Sequence, residues 1–467
     1  VVQPPEEALK RSDSDEKLER LLTQLAEQMP SLVVAIVTED GVVFENAYGD
    51  ARAQDRFAIG SVTKAFTGTI LVRLAARGTL DIDDPVERYL PHGTGMPHDS
   101  VGRSPSLRDL ATHTSGLPRL PWNLRAQGGD PYAGFTCQEL MNGITETRIA
   151  GRCGTTVEYS NLGVGILGYA LERATQKTFA ELVRTEASDG TLNTVIVAGD
   201  DLPPGAAPSF PEEGDVAHWN LGCLAPAGAI YATARELGIF LVQHMRAYET
   251  ANHPLLKQHE PRYIDGNSGD GVAMGWFVSP LRDQAEIVWH NGATGGYAAF
   301  AGFSPQLGVG LVLMTGSGAA AGVLTEAAKD TIFDRAAQVF GRRDRSALRL
   351  LPSVQLDRPP QIDPVIAGRL DALLSKLSDV SESELEQWFT PDLVSAVGAQ
   401  PMVSQLHSFA KSISSCNSSR RRPYGLFGLA IEWSCDSSKR TFIATFDGRN
   451  SRDRLTSFRI GEKPLDD

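Results

Sequence analysis

Apolar residues recur at helical spacing near the start of the chain. Leu9, Leu18, Leu21, Leu22 and Leu25 share a stripe, so Glu6 to Met29 is predicted as an amphipathic helix. The pattern then changes. "SLVVAIV" and "GVVFENAY" are apolar runs on either side of Glu39-Asp40-Gly41, which predicts a hairpin. A longer apolar-periodic run, "FAIGSVTKAFTGTILVRLAARGTL", reads as a helix ending near Arg77-Gly78, with the glycine in a C-cap position. From Asp81 to about Pro261, helical patches alternate with Pro- and Gly-rich loops such as "QGGDPYAG" and "DLPPGAAPSFPEEGD". Strand patterns return in "GVAMGWFVSP", "AEIVWH", "GYAAFAGFSP" and "GVGLVLMTG". A helix from about Ala319 to Phe340 closes this part.

The remaining segment has a different texture. "RRDRSALRLLPSVQLDRPPQID" mixes charge with Pro352, Pro359 and Pro360, as linkers do. Beyond it, Pro364 to Ile413 reads as helices and Gly425 to Ile460 as three strands. The expected organisation is a large unit at 1–345, a linker at 346–361 and a small α+β module at 362–467. The module suggests a cone of the NTF2 or cystatin type. A lipocalin-like barrel would need more strands.

Composition narrows the partners. The chain has 467 residues, ample for two domains, and its 42% apolar and 22% charged residues are those of a soluble globular protein. A net charge of −13 with no basic stripe argues against nucleic acid. Arg420-Arg421-Arg422 reads as a solvated turn before Pro423. No apolar run is long enough for a membrane span. The chain begins at Val1 without a signal-peptide pattern, as a processed or trimmed N-terminus would. None of the five cysteines has zinc spacing, and no metal or cofactor is expected. Cys416 and Cys435 flank a hairpin-like segment. Their pairing would imply an oxidising compartment, periplasmic or secreted, whereas free buried thiols would leave the cytoplasm open.

The candidate chemistry starts at Ser61-Val62-Thr63-Lys64. A serine and a lysine three apart at a helix start share a face, so the amine can reach the hydroxyl and activate it. Tyr159-Ser160-Asn161 supplies a phenol and an amide at another helix start. His290-Asn291-Gly292 ends one strand run and precedes another. Each piece is common alone. The three in this order are specific.

That order resembles the serine β-lactamase and penicillin-binding-protein superfamily, in its class C β-lactamase and D-aminopeptidase branch. "LRDLATHTSGLPRL" and "LAPAGAIYATARELGIF" are similar to two further segments of the branch, and the likeness runs from about Pro30 to Phe340. It implies an α/β (α+β) β-lactamase/transpeptidase-like fold: an antiparallel sheet built from both chain ends, flanked by helices, with a helical subdomain inserted. The site would lie at their junction. Ser61 would form an acyl-enzyme. Lys64 would take its proton if burial and a nearby cation keep it partly neutral, and Tyr159 would serve as second base and donor to the leaving group. Asn161 would bond Lys64 and the substrate amide. The backbone N–H groups of Ser61 and Ala293 would hold the oxyanion. His113 in "THTSG" would belong to a structural turn.

One departure stands out. The family's late strand usually carries Lys-Thr-Gly, and here it is His290-Asn291-Gly292. Imidazole is only partly charged near pH 7, so His290 is expected to hold a substrate carboxylate less firmly and to titrate near pH 6.5. Asn291 and Gly292 would complete the binding strand, with the Asn291 amide altering what is bound. The resemblance therefore implies a serine hydrolase of amides or esters, most readily in D-residue-containing peptides. Esterase, acyltransferase and weak β-lactamase activities, or a non-catalytic penicillin-recognising sensor, are the alternatives. The partner expected is a small molecule or short peptide, and a homo-oligomer is possible.

Overall fold

The computed structural model describes residues 13–341, apart from 126–128, 150–151, 188–191, 193–194, 212–217, 265–269 and 282–284. Further on it describes 371–389, 394, 399–414, 416, 418–424, 428–435, 438–447 and 454–461. Helix α1 is described over Asp13–Ala26 and is followed by the hairpin β1 (Ser31–Thr38) and β2 (Gly41–Gly49). All eight residues of β1 are buried, because the strand is covered on both faces. Leu32, Val34 and Ile36 meet Leu18, Leu22 and Leu25 of α1 in one cluster. Val33, Ala35 and Val37 enter a second cluster on the opposite face. Alternation across the pleat, with both sides dry, explains an unbroken apolar run.

The main sheet is antiparallel and eight-stranded. Beside the hairpin it holds β6 (Tyr263–Ile264), β7 (Gly271–Ala273), β8 (Trp276–Pro280), β9 (Glu286–Ala293), β10 (Ala298–Ser304) and β11 (Val309–Thr315). The order is β2-β1-β11-β10-β9-β8-β7-β6. The early hairpin thus joins the late strands through β1 and β11, with Val33 opposite Met314. Everything between the hairpin and β6 is inserted, including a small sheet of β3 (Phe57–Ala58), β4 (Ile196–Val197) and β5 (Ile230–Ala232), in the order β3-β5-β4. The helices of that insertion begin with α2 (Thr63–Ala76) and include α3 (Leu107–Ala111), α4 (Cys137–Thr145), α5 (Asn161–Thr175), α6 (Phe179–Leu182), α7 (Ala234–Arg246) and α8 (Pro254–His259). Helix α2 is buried from Thr63 through Leu74, so it shows no polar face. Phe66 stacks on Phe240 of α7 with ring centroids 3.8 Å apart.

Several details differ from the expectations. The closing helix is interrupted: α9 (Ala321–Ala327) runs into a π-helical turn at Ala328–Ile332 and then α10 (Phe333–Phe340). Cys137 and Cys223 form a disulfide across 86 positions, a pairing that spacing did not suggest, while Cys153 is a free buried thiol. Cys416 is disulfide-bonded, and the side chain of Cys435 lies outside the described residues. The last segment has four strands rather than three: β12 (Ser418–Tyr424), β13 (Gly428–Cys435), β14 (Ser438–Asp447) and β15 (Arg454–Gly461), paired in that order. Arg420, Arg421 and Arg422 lie in β12 and not in a turn. β12 is an edge strand, which is where Pro423 can be tolerated. The helical part ahead of this sheet has its own apolar cluster, with Leu373, Leu385, Phe389 and Leu406. The linker at 346–361 lies outside the described residues. Among the described residues no helix is long and apolar enough to cross a membrane.

Candidate active site

Ser61 sits in the 3-10 turn Gly60–Val62 that leads into α2. The turn is pressed against the end of β9. Gly60 has φ +50°, and a Cβ there would lie 2.7 Å from the Ala293 amide nitrogen. A Cβ on Gly292 would lie 2.1 Å from the Ile59 carbonyl oxygen and 2.6 Å from the Ser61 amide nitrogen. Two glycines therefore let the backbones of Ser61 and Ala293 meet. Just beyond β9, the Thr294 amide donates to the Tyr297 carbonyl. Strand alternation turns the Ala293 amide the other way, toward the Ser61 turn.

Lys64 follows one turn after Ser61 and is 1% exposed. Its Nζ lies 3.0 Å from Ser61 Oγ and donates to the Ala227 carbonyl at 2.7 Å. Burial holds its pKa well below the ordinary lysine value, and the positive charge of Arg119 lowers it further. The cation that the sequence reading required is thus Arg119, a residue it did not single out. The sequence offered one signal, the position of Arg119 in the "HTSGLPR" segment.

Tyr159 precedes α5. Ser160 caps that helix by accepting from the Gly163 amide at 2.8 Å. The segment His113–Arg119 cradles this corner: the Ser160 amide donates to His113 Nδ1, Ser160 Oγ donates to the Pro118 carbonyl, and the Asn161 amide donates to the Arg119 carbonyl at 2.8 Å. His113 has φ +56° and its ring lies 4.3 Å from that of Tyr159. It shapes the turn that presents the phenol. Tyr159 is hydrogen-bonded to Ser61, and its ring centroid lies 4.8 Å from Lys64 Nζ and 5.0 Å from Arg119 Cζ. Desolvation pushes the phenol up to about 12, against opposing effects of Arg119 and the Ser61 hydrogen bond.

Three expectations change. Asn161 does not bond Lys64; its Nδ2 donates to Tyr132 Oη at 3.4 Å and its buried Oδ1 has no partner. The Ala227 carbonyl takes the place at Lys64. His290 does not titrate near pH 6.5. It is 2% exposed, and burial followed by the Lys64 charge pushes it down to about 3, with an opposing hydrogen bond from Nδ1 to the Asn291 carbonyl at 2.5 Å. That bond fixes the neutral tautomer and leaves Nε2 as a buried, unpartnered acceptor. Asn291 points to the other face of β9, where Nδ2 donates to Thr325 of α9 at 2.9 Å. Its amide is engaged in holding strand to helix. His290, Asn291 and Gly292 fall within the last four residues of β9, ahead of β10, as the pattern predicts.

The Beta-lactamase family model matches residues 18–331. The chain belongs to the Beta-lactamase family. Among its relatives, the D-alanyl-D-alanine-carboxypeptidase/endopeptidase AmpH of Escherichia coli (strain K12) is 24% identical over 278 residues, covering 54% of this chain and 68% of the relative. A Beta-lactamase of Providencia stuartii is 28% identical over 255 residues, covering 52% of this chain and 62% of the relative. The solved structure of a D-stereospecific amidohydrolase from Streptomyces sp. matches with TM-score 0.60 at 23% identity, covering 68% of this chain and 99% of that one. It shows a shared fold. Family membership and these relatives make this Beta-lactamase family chain a serine hydrolase of the β-lactamase/D-peptidase type. Among the described residues no cluster of three His, Cys, Asp or Glu side chains converges as a metal site.

Proposed function

We propose that this chain cleaves amide or ester bonds through an acyl-enzyme on Ser61, and that its substrates are D-residue-containing peptides or amides. The observation that carries the reading is the 3.0 Å approach of Lys64 Nζ to Ser61 Oγ, with the amine held toward its neutral form. Deprotonated, Nζ uses its lone pair to accept the Ser61 proton as Oγ bonds to the substrate carbonyl carbon. The carbonyl oxygen becomes an oxyanion facing the amides of Ser61 and Ala293. When the tetrahedral intermediate collapses, the carbon–nitrogen or carbon–oxygen bond breaks and Tyr159 hands its proton to the leaving group. Lys64 restores that proton along the Ser61–Tyr159 contact. Water then attacks the acyl carbon and gives a proton to Lys64; as the acid product leaves, Lys64 returns that proton to Ser61 Oγ. A phenol near 12 is a poor free base, so Tyr159 relays and Lys64 is the base. Neutral His290, 6.3 Å from Tyr159 between ring centroids, offers its Nε2 as an acceptor beside the phenol.

The D-peptide preference draws on what AmpH is named for. The disulfide Cys137–Cys223 supports an oxidising compartment for this chain. The deciding experiment is intact mass and turnover with D-amino-acid amides, short acyl esters and nitrocefin. An adduct in the native chain that disappears in Ser61→Ala supports the reading. Undiminished labelling of Ser61→Ala overturns it.

A further inference from the structure

The charges around Ser61 do not balance. Arg119 acts electrostatically on Lys64, His113 and Tyr159, and all three feel it as a positive charge. Among the described residues no carboxylate figures among the charges acting on Lys64, His113, Tyr159 or His290. Arg119 is exposed, and no described carboxylate forms an ion pair with it. In a chain of net charge −13, an arginine beside the nucleophile with no counter-charge among the described residues is an unusual placement.

Its backbone is held by hydrogen bonds, whereas among the described residues its head stacks on an aromatic ring and has no carboxylate partner. The Arg119 carbonyl accepts from the amides of Asn161 and Leu162 at 2.8 and 3.2 Å, locking it to the first turn of α5. Its guanidinium lies over the Tyr159 ring, whose hydroxyl reaches Ser61. That places the fork within about two residues of extended substrate, at roughly 3.4 Å each, from the scissile bond. The other basic groups here cannot take the role. His290 is neutral, and Lys64 is buried and engaged by Ser61 and Ala227. A planar guanidinium matches a carboxylate with two parallel hydrogen bonds.

We infer that Arg119 is the anion-recognition residue of this site, selecting substrates that carry a carboxylate close to the scissile bond. The inference rests on the serine-hydrolase reading and refines it: where the family's strand lysine is replaced by a neutral histidine, the cation is supplied from the "HTSGLPR" segment. A bound carboxylate also offsets the Arg119 charge, which adds to burial in lowering the Lys64 pKa. The kcat profile, which reports the enzyme–substrate complex, should therefore rise at higher pH for a carboxylate substrate than for its neutral match.

The test uses two matched pairs on the full chain: N-acetyl-D-alanyl-D-alanine against its C-terminal carboxamide, and N-succinyl- against N-acetyl-D-alanine p-nitroanilide. In Arg119→Met and Arg119→Gln the carboxylate-to-neutral ratio of kcat/KM should fall about tenfold or more for at least one pair, with Arg119→Lys retaining part of it. The upward displacement of the native kcat profile for that pair should vanish in Arg119→Met. A merely structural arginine would lower both members equally. Unchanged ratios in both pairs, or coincident native profiles, overturn the inference while leaving the hydrolase reading intact. Absence of turnover and of any Ser61 adduct in the native chain would instead overturn the hydrolase reading, and this inference with it.

Discussion

Lys64 donates to the carbonyl oxygen of Ala227, 163 positions later in the chain, at 2.7 Å. The contact joins the nucleophile helix to the 3-10 turn Gly222–Ala227. One turn further along α2, Thr67 donates to the Pro226 carbonyl, also at 2.7 Å. In the neutral amine one N–H serves Ala227, and the lone pair is left for the Ser61 proton. The anchor therefore aims the base.

The first expected outcome concerns pH. Protonated Lys64 has no lone pair, so kcat/KM on a neutral ester should rise with pH as Lys64 deprotonates, with a midpoint well below 10.5, and then level off. Arg119→Met removes a cation and should move that midpoint upward. His290, pushed down to about 3, should add no break between pH 5 and 9. A break near 6.5 that vanishes in His290→Gln would contradict this assignment.

Gly292→Ala tests the oxyanion donors. The added methyl would meet the Ile59 carbonyl at 2.1 Å and the Ser61 amide at 2.6 Å, both backbone atoms that cannot swing aside. The Ser61 turn must shift, and kcat should fall by about 10²–10³, the usual cost of losing one such donor. Kinetics together with a thermal melt separate this from global unfolding. Full activity in a folded variant would remove Ser61 and Ala293 from the role.

The disulfide should support both stability and the base. Cys137 opens α4, and Cys223 lies in the turn that ends at Ala227, so the bridge steadies the carbonyl that aims Lys64. Closing a loop across 86 positions is worth about 4.6 kcal/mol in the chain-entropy account. Cys223→Ala should lower the melting temperature and also reduce kcat at a temperature where the variant is fully folded. A lower melting temperature with unchanged kcat would limit the bridge to stability.

Much of the frame was legible because the signals were local. Ser61 and Lys64 are one turn apart, and "SLVVAIV" can only be a strand if both its faces are dry. The family resemblance rested on such stretches, and the sheet joining both ends and the helical insertion were what that resemblance implied. What escaped depends on long-range approach. Nothing near Ala227 in sequence marks its carbonyl as a partner for Lys64, and Cys137–Cys223 spans 86 positions. The pKa of a solvated imidazole does not apply to His290, whose value is set first by burial, with Phe277 4.8 Å away between ring centroids, and then by the Lys64 charge. Asn291 faces opposite to His290 because strand neighbours alternate. Arg119 was overlooked because its neighbour Tyr159 lies 40 positions away, brought close by the hydrogen bonds of the His113–Arg119 turn.

Acid should unfold this protein early. His244 Nδ1 and His259 Nε2 are 2.8 Å apart, and His259 Nδ1 lies 2.8 Å from Tyr248 Oη, all behind α2 where Thr69 meets His244 and Gln258. Burial, and then the charge of His253, pushes His259 down to about 3, and His244 and His113 are also held well below 6.5. The unfolded chain binds protons at these histidines below about 6.5, and the folded one does not. Stability therefore falls as pH drops from 6.5 toward 3. Each pH unit of that window costs about 1.4 kcal/mol per such histidine, so several together exhaust an ordinary folding stability. Denaturant unfolding at pH 4, 5, 6 and 7 should show a steep decline, and His259→Gln should flatten it even if that variant is less stable at pH 7. A slope unchanged by His259→Gln would mean that this buried chain of imidazoles does not govern the acid limit.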